Sequence, residues 1–570
     1  MKKSKRILAL AATLVMSSTA FSALVGCGGT TESDYDPTKA NLTVATYDGG
    51  VGKAWLEEAA RRFEKLHENS THFQEGRTGV KISVDGARNK YAGSYLADRA
   101  LNKDMYFTEG VEYYTYVNRD KVADITDVVT GSMAAYGEDG TIEDKLDSSF
   151  QDYLTAKDGN YYMLPFYSGF YGFIYDVDLF EEEGFYLDQD GDFFRLEKEG
   201  DVATEEERKA FEAMKSNGPD GTKGTYDDGL PATYEQFVAL ADEIVGKTYV
   251  PFCYSGTYND YVSKAFRAFI ADYEGYDAFK LNYTFSGEEV EVVKEIVEDD
   301  SEFLGYKVIT ETVKVTEDNA YELQRQAGKY YAFKMQEKLF SSVKYVGDSF
   351  NGFDYTTAQS EFIKSKYTNK RYAMLLEGVW WENEASDIFN EIATIRGEKK
   401  EDRRFAFMPI PKLNEEIVEK QQGQTMFSAN SSFGFINKNC SNMELAKEFM
   451  RFLHSDSEMS KFSAKTSIPR SLNYSVSAED KAKATSFGQS LIDMVSTAKV
   501  VYPYSSLDLV INNSAAFVEG AWFFTSTVNG KALNNPFTAF TADAKNRVSA
   551  EDYFKGLYTY QKNMWSTLQK

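Results

Sequence analysis

Residues 41–68 read NLTVATYDGGVGKAWLEEAARRFEKLHE, and residues 79–86 read GVKISVDG. Leu42 and Val44 alternate with polar neighbours, as in a half-buried strand, and the second stretch repeats that alternation. Between these two stretches, apolar residues recur at helical spacing on one face: Val51, Trp55, Ala59, Phe63 and Leu66. A strand, a helix and a second strand predict two parallel strands joined by a right-handed crossover. The sequence therefore indicates an α/β fold.

The loop Tyr47-Asp48-Gly49-Gly50 follows the first of these strands. In parallel sheets, ligands bind beyond the carboxyl ends of the strands, which would make this loop a binding element. The same four residues also fit an ordinary tight turn, because adjacent glycines favour one. The sequence leaves both interpretations open.

The amino terminus carries a targeting signal. A cluster of basic residues precedes the mostly apolar run ILALAATLVM, which predicts a signal peptide over residues 1–26. The sequence LVGC, ending at Cys27, resembles the lipobox of bacterial lipoproteins, in which the cysteine thiol carries a lipid. An ordinary secretory signal with an incidental cysteine is the alternative. Residues 27–40 are polar and rich in Gly and Thr, as expected of a flexible tether.

The charge balance excludes one class of function. Removal of residues 1–26 leaves 59 basic residues against 88 acidic ones. No basic block remains to neutralise phosphates, so nucleic-acid binding is not expected. Cys253 and Cys440 are the cysteines other than Cys27, and we interpret both as small buried residues rather than as a disulfide. A mature chain of this length predicts at least two lobes, and no later apolar run is long enough for a membrane span.

Residues 161–185, YYMLPFYSGFYGFIYDVDLFEEEGF, carry a family resemblance. They resemble the bacterial extracellular solute-binding proteins of ABC transporters, in particular the carbohydrate-binding group related to maltose-binding protein. The opening stretch, RYAMLLEGVWWENEA at 371–385, SSFGFINKNCSNMELAKEFMRFLHS at 431–455 and SIPR at 467–470 are similar to the same family, in the same order. Together these motifs extend over nearly the whole mature chain.

The resemblance implies a fold of two α/β lobes that close on a ligand about hinge strands. Lobe one is expected over 41–165 and 428–498, and lobe two over 168–425 and 503–570. The crossings would lie near Pro165, Ser428 and Pro503. Two insertions would enlarge lobe two, one over 186–230 and one over 284–317, where β-branched residues predict a hairpin.

The insertion at 186–230 is acidic and has the spacing of a calcium site. Asp188, Asp190, Asp192 and Glu199 occupy loop positions 1, 3, 5 and 12, which supply oxygen ligands in Ca²⁺-binding turns. Position 6 is Phe193 rather than Gly, so a regular EF-hand is not expected. Further candidate metal ligands follow downstream: Asp220, Asp227 and Asp228. A solvated acidic loop is the alternative to a structural Ca²⁺ site.

The resemblance also implies candidate ligand contacts. One of Trp380 and Trp381 is expected to stack on a sugar while the other packs inward, and the sequence does not choose between them. Trp522 is expected to stack as well. The remaining candidates are aromatic residues near the first strand and the first crossing, and carboxylates that could accept hydroxyl hydrogen bonds: Tyr47, Phe166, Tyr167, Tyr171, Asp48 and Glu109.

The expected function is therefore that of a substrate-binding lipoprotein of an ABC importer. It would capture a carbohydrate, such as an oligosaccharide, as a monomer without catalysis and deliver it to permease subunits served by an ATPase. The expected location is the outer face of the cytoplasmic membrane of a Gram-positive-type bacterium, with contact to the membrane through the lipid alone. The alternatives are a calcium-stabilised surface glycan-binding or adhesion lipoprotein, and a polysaccharide-degrading enzyme with two carboxylates across a cleft. No G-x-S-x-G or zinc motif supports an enzyme.

Overall fold

The computed structural model describes residues 35–200, 202–421, 423–429 and 431–569. The predicted signal peptide, Cys27 and most of the predicted tether lie outside these residues. Within the described ranges, no helix is both long enough and apolar enough to span a membrane.

Strands and helices alternate along most of the chain. The strands in the described ranges are β1 (Ala40–Thr46), β2 (Val80–Gly86), β3 (Met105–Thr108), β4 (Met163–Pro165), β5 (Tyr171–Asp176), β6 (Tyr186–Leu187), β7 (Phe193–Phe194), β8 (Val250–Tyr254), β9 (Glu289–Glu298), β10 (Tyr306–Lys314), β11 (Tyr372–Gly378), β12 (Phe405–Met408), β13 (Thr425–Phe427), β14 (Phe433–Ile436), β15 (Lys499–Val501), β16 (Ser526–Val528) and β17 (Lys531–Leu533). The α-helices there are α1 (Ala54–Leu66), α2 (Gly93–Ala97), α3 (Tyr113–Asn118), α4 (Thr126–Val129), α5 (Ser148–Leu154), α6 (Val177–Glu183), α7 (Glu205–Met214), α8 (Tyr234–Gly246), α9 (Asp260–Thr284), α10 (Ala327–Phe340), α11 (Tyr355–Lys364), α12 (Trp381–Glu384), α13 (Ser386–Arg396), α14 (Glu415–Lys420), α15 (Met443–Leu453), α16 (Asp456–Thr466), α17 (Ala478–Lys481), α18 (Ser486–Thr497), α19 (Asp508–Asn512), α20 (Ser514–Glu519), α21 (Ala521–Phe524), α22 (Pro536–Thr541) and α23 (Ala550–Leu568).

The first sheet has the strand order β2-β1-β3-β14-β4. Strand β1 runs parallel to β2 and β3, which confirms the predicted crossover unit. Strand β14 is antiparallel to both of its neighbours. Helix α1 buries Trp55 and Phe63 against this sheet, whereas Leu66, at its last turn, is exposed. We call the body around this sheet lobe one.

The second sheet has the order β12-β5-β11-β8 and forms the centre of lobe two. Strand β11 is parallel to β8 and antiparallel to β5. All seven of its residues are buried, as expected of a central strand covered by helices on both faces. Helix α6 starts directly after β5, and the Asp176 side chain caps it by accepting the Leu179 N–H at 3.2 Å.

Three segments of chain cross between the lobes, and their described residues are 166–170, 428–429 with 431–432, and 502–507. The crossings are hydrogen-bonded to one another or to adjacent strands. Ala429 N–H donates to the Gly169 carbonyl at 2.7 Å, and Ser428 N–H donates to the Val501 carbonyl at 3.1 Å. Because they contact each other, the crossings form one connected hinge region.

Helix α18, within the range predicted for lobe one, contacts both lobes. We predicted that residues 428–498 belong to lobe one, but α18 packs against the edge strand β12 of the second sheet. Ser486 Oγ accepts the Phe405 N–H at 2.9 Å and donates to the Phe405 carbonyl at 2.8 Å, and Ser490 Oγ accepts the Phe407 N–H at 3.0 Å. The two serine hydroxyls thus make the hydrogen bonds to β12 that a neighbouring strand would otherwise make. Sequence periodicity does not reveal this contact.

The insertion at 284–317 forms the predicted hairpin. Strands β9 and β10 pair antiparallel, with a register shift at Ile309 and Thr310. The Arg325 guanidinium donates to the Val293 carbonyl at 2.9 Å and fixes the hairpin to the rest of lobe two. Cys253 is buried and Cys440 half-buried, and both are free thiols.

Candidate ligand-binding cleft

The two lobes face each other across a cleft. On lobe one, the facing elements are the loops that follow β1 and β3. On lobe two, they are the start of β5, the segment after β11 and the first turn of α11. Loops at the carboxyl ends of parallel strands are the usual ligand-binding elements of such sheets.

The Tyr47–Gly50 loop is held close to the floor of the cleft. It closes as a turn, with Gly52 N–H donating to the Gly49 carbonyl at 2.9 Å. Gly50 has φ +52°, and a Cβ placed on it would lie 2.4 Å from Glu109 Oε1 and 2.8 Å from the Tyr167 hydroxyl oxygen. Only glycine fits this backbone position without displacing its neighbours. The loop is a tight turn and it also lies at the cleft, so both interpretations of the sequence apply.

Glu109 follows β3 and lies beneath this loop. It accepts a hydrogen bond from the Tyr167 hydroxyl. Burial raises the pKa of the Glu109 carboxyl to about 7; the Tyr167 hydrogen bond opposes this rise, and the negative charge of Glu384 in lobe two adds to it. Glu109 therefore titrates near neutral pH.

Trp380 provides an aromatic surface on lobe two. Its indole is 9% exposed and meets the ring of Tyr171 edge-on, at 5.1 Å between centroids. Tyr171 in turn contacts Tyr261 at 5.2 Å. A Cβ on Gly378 would lie 2.3 Å from the Trp380 indole, so the absence of a side chain at this position lets the indole lie across the backbone.

Trp381 is the tryptophan that packs inward. It is 0% exposed and is surrounded by phenylalanine rings at centroid distances of 5.2–6.0 Å: Phe362, Phe389, Phe405 and Phe487. Trp380, the preceding residue, is 9% exposed and packs against Tyr171 rather than against these rings. Trp380 is thus the candidate stacking residue of the pair.

Two carboxylates on lobe two were missed by the sequence analysis. Glu384 Oε1 accepts the Gly50 N–H across the cleft at 3.4 Å, and its Oε2 accepts the Gln359 amide at 3.2 Å. Glu377 is fully buried at the end of β11, and its Oε1 accepts the Gly378 N–H at 2.8 Å. Burial raises the pKa of both carboxyls, that of Glu377 well above its usual range. The sequence EGVWWENEA does not single out these glutamates as binding residues, because glutamates are common at helix starts.

A second contact between the lobes involves Arg88. Its Nε donates to the Asp48 carbonyl at 3.1 Å, and its Nη1 donates to the Tyr355 hydroxyl of lobe two at 3.2 Å. Tyr47 is half-buried nearby, and burial, with Glu109 and Glu384 adding to it, raises the pKa of its hydroxyl to about 12. The Asp48 side chain is partly buried in the same loop.

A cavity of about 730 Å³ lies between the lobes. Its lobe-one wall is formed by residues of 112–118 and 156–158, and its lobe-two wall by residues of 508–516. Glu112, which lines it, comes three residues after Glu109. Cavities that hold small-molecule ligands are of this size.

Two predicted contact residues lie in cores instead of the cleft. Phe166 is 1% exposed and packs on Trp55 and Phe107 in lobe one, because Tyr167, the next residue, takes the orientation that reaches Glu109. Trp522 is 1% exposed, and its Nε1 donates to Asn282 Oδ1 at 2.9 Å. Its ring contacts are with other core aromatics: Phe285, Phe517 and Trp565. Both side chains are buried in this structure, and ligand contact by either stays a prediction. The chain segment that lines the cavity lies earlier, at 508–516.

The acidic insertion forms hydrogen-bonded turns. Asp188 Oδ1 accepts the N–H groups of Asp190 and Asp192 at 2.9 and 3.0 Å. Asp227 is buried and accepts the Asp220 N–H at 2.9 Å, and Asp228 accepts the Gly224 N–H at 2.9 Å. The Glu199 N–H donates to Glu207 at the start of α7. In the ranges that the structure describes, no group of three or more His, Cys, Asp or Glu side chains is placed to hold a metal ion. Ca²⁺ binding stays a prediction.

Comparison with known proteins identifies the family. A mannobiose-bound binding protein of an ABC transporter from Bifidobacterium animalis subsp. lactis is 14% identical and has a TM-score of 0.51, with 93% of this chain and 94% of that chain covered. RafE from Streptococcus pneumoniae is 14% identical over 93% of this chain and 99% of its own, with a TM-score of 0.49. The maltotriose-bound binding protein of Thermus thermophilus is 14% identical over 91% and 99%, with a TM-score of 0.47.

At such low identity the first of these likenesses shows a shared fold and no more. No curated protein matches the chain. The sequence profile of the bacterial extracellular solute-binding proteins matches residues 59–487, which is most of the sequence. The chain therefore belongs to the bacterial extracellular solute-binding proteins.

Proposed function

We propose that this protein captures a carbohydrate between its two lobes and delivers it to the permease of an ABC importer, without catalysing a reaction. One observation carries the proposal: aromatic surfaces and carboxylates from both lobes meet across Gly50. Tyr47 and Glu109 come from lobe one, whereas Trp380 and Glu384 come from lobe two.

The chemistry of these groups suits a sugar. A sugar ring has apolar C–H faces that pack on aromatic rings such as Trp380 and Tyr171. Its hydroxyl groups donate to charged acceptors, and hydrogen bonds to carboxylates are stronger than those between neutral groups. The 730 Å³ cavity between residues 112–118 and 508–516 is lined by other residues and has the size of a small-molecule site. An oligosaccharide is the proposed ligand.

Binding is expected to close the cleft. A ligand shifts a two-state hinge only if it contacts the closed state better than the open state, and groups from both lobes provide that difference. The hydrogen bond from Gly50 to Glu384 joins the same two surfaces and would be available to a closed complex. Closure would present both lobes to the permease, which the ATPase serves.

The anchoring to the membrane belongs to the same proposal. Lipidation at Cys27, after cleavage of residues 1–26, would hold the protein at the outer face of the cytoplasmic membrane, and the polar tether would let it reach the permease. Substitution of Cys27→Ala should release the protein into the medium. Retention of that variant at the membrane would contradict a lipid anchor at this residue.

The test is titration calorimetry of the mature protein against a glycan panel, combined with small-angle scattering. We expect one class of glycan to bind and the radius of gyration to fall when it is added. The Gly50→Ala variant should bind at least tenfold more weakly, because its methyl group would collide with Glu109. The matched control is Gly246→Ala, whose added methyl group meets no atom within 4 Å.

Two outcomes would overturn the proposal. Absence of binding to every glycan would remove the carbohydrate assignment. Release of shortened or modified sugar after long incubation would make the protein an enzyme, with carboxylates such as Glu109 and Glu384 as its acid and base candidates.

A further inference from the structure

Glu109 and Glu384 approach the same glycine from opposite lobes. Glu109 Oε1 lies 2.4 Å from the position of a Cβ on Gly50, and Glu384 Oε1 accepts the Gly50 N–H at 3.4 Å. Each lobe therefore brings one carboxylate to the point where the lobes meet. Like charges in a partly desolvated site repel, so closure with both groups ionised is unfavourable unless a positive charge lies between them.

The protein itself supplies neutral donors to this pair. Glu109 is bonded by the Tyr167 hydroxyl, and Glu384 by the Gly50 N–H and the Gln359 amide. No ion pair within 4.0 Å links a described Lys, Arg or His to either carboxylate. Arg88 is near enough to lower the pKa of both, but its hydrogen bonds go to the Asp48 carbonyl and the Tyr355 hydroxyl.

A third carboxyl group points to a missing partner. Glu377 is fully buried, and among the described residues its Oε2 has no hydrogen-bond partner. The group lies beside Gln359 and Glu384, both of which influence it. A buried polar atom without a partner costs free energy, and a native site usually supplies one by ligand or water. The lobe-two wall thus holds a buried carboxyl oxygen that the described residues leave without a hydrogen bond.

Aromatic rings surround the same position. Tyr47 lies on the lobe-one side, close enough to both Glu109 and Glu384 for their charges to raise the pKa of its hydroxyl. Tyr171, Trp380 and Tyr261 lie on the lobe-two side. Aromatic faces attract cations, and ring clusters combined with carboxylates recognise organic ammonium groups. Within the described chain no set of three acidic, His or Cys side chains is placed to hold a metal ion.

We propose that the ligand presents a protonated amine to Glu109 and Glu384, as an oligosaccharide that contains an unacetylated amino sugar would. This inference rests on the proposed carbohydrate function and narrows its substrate class. The amine places the positive charge between the two carboxylates when the lobes close, and the sugar faces lie on Trp380 and Tyr171. Uronic acids and other anionic glycans are excluded by the same charges.

The test compares β-1,4-linked oligomers of glucosamine, N-acetylglucosamine and glucose of equal length by titration calorimetry at neutral pH. We expect the glucosamine oligomer to bind at least tenfold more tightly than the other two. This preference should weaken as salt is added, because screening reduces the attraction between charges. Glu109→Gln and Glu384→Gln should each reduce the ratio of glucosamine-oligomer to glucose-oligomer affinity at least tenfold, and circular dichroism with thermal melting should show that both variants are folded.

The matched control is Glu361→Gln, an exposed residue on α11, the helix that carries Gln359. It should leave the preference unchanged. Equal or tighter binding of the N-acetylated or glucose oligomer would overturn the inference and leave the carbohydrate function standing. An unchanged preference for the glucosamine oligomer in both Gln variants would also overturn the inference. Failure of every glycan to bind would overturn the inference together with the proposed function.

Discussion

The two walls of the cleft differ in whether backbone or side chains line them. The lobe-one wall is mainly backbone: a turn at Tyr47–Gly50 whose glycine lies directly over Glu109. The lobe-two wall is made of large side chains at and after the end of β11, where Trp380 lies over Gly378, Glu377 is buried and Glu384 is partly buried. The difference suggests a division of labour, in which lobe one sets the shape of the site and lobe two supplies most of its contact energy.

The largest expected effect separates the two tryptophans of the lobe-two wall. Trp381→Ala should lower the free energy of unfolding by about 3–5 kcal/mol, since it removes a fully buried ring from among four phenylalanines. Trp380→Ala should lower it by clearly less, because that indole borders the cleft. Denaturant titration of both variants measures the difference. Equal losses would mean that both rings are core residues and that the wall offers no stacking surface.

The next effect concerns affinity. Trp380→Ala should weaken glycan binding by about 1–3 kcal/mol, or roughly tenfold to a hundredfold, because a stacking face is lost. Trp522→Phe is the control: it alters another large aromatic residue of lobe two, in the core. Calorimetry should show unchanged affinity for that variant. A larger loss of affinity in Trp522→Phe than in Trp380→Ala would restore the original expectation for Trp522.

A smaller effect is the pH dependence of stability that Glu109 of the lobe-one wall should cause. The pKa of Glu109 is raised from 4.5 to about 7, so the native state holds this proton more tightly than the unfolded state. The resulting stabilisation is complete below about pH 4.5 and is lost as the pH rises through 7. Relative to Glu109→Gln, the wild-type free energy of unfolding should fall by about 1–2 kcal/mol between pH 5 and 8. This value allows for the partial exposure of Glu109. A difference that does not vary with pH would argue against a Glu109 carboxyl whose pKa is raised in the native state.

The smallest effect lies outside both walls, in the acidic insertion. If Asp188, Asp190 and Asp192 take part in a weak Ca²⁺ site, millimolar Ca²⁺ should stabilise the protein by at most about 1 kcal/mol, and EDTA should reverse this. Glycan affinity should not change, because the insertion contributes no residue to the cleft described above. Thermal melts with and without Ca²⁺ test this prediction. Identical melting temperatures would mean that the acidic loop does not bind Ca²⁺. A parallel change in glycan affinity would instead couple the insertion to the cleft.

The sequence was most informative where one local pattern decides the outcome. Alternation and helical spacing predicted β1, α1 and β2, and β-branched residues predicted the β9–β10 hairpin. It was less informative where exposure depends on elements distant in the chain. Trp522 and Phe166 are aromatic residues in plausible motifs, yet other parts of the chain cover them. Glu384 becomes a site candidate only because lobe one places Gly50 beside it.

Strand β14 has a consequence for how the protein acquires its structure. It lies between β3 and β4, yet it comes from residues 433–436, whereas its neighbours come from residues 105–108 and 163–165. During synthesis from the amino terminus, the lobe-one sheet therefore lacks β14 until most of lobe two has been synthesised. Contacts between such distant segments slow folding, because long loops are closed before they are stabilised. A fragment that ends before residue 433 would lack a central strand, and neither lobe can be produced as a simple amino-terminal or carboxyl-terminal half of the chain.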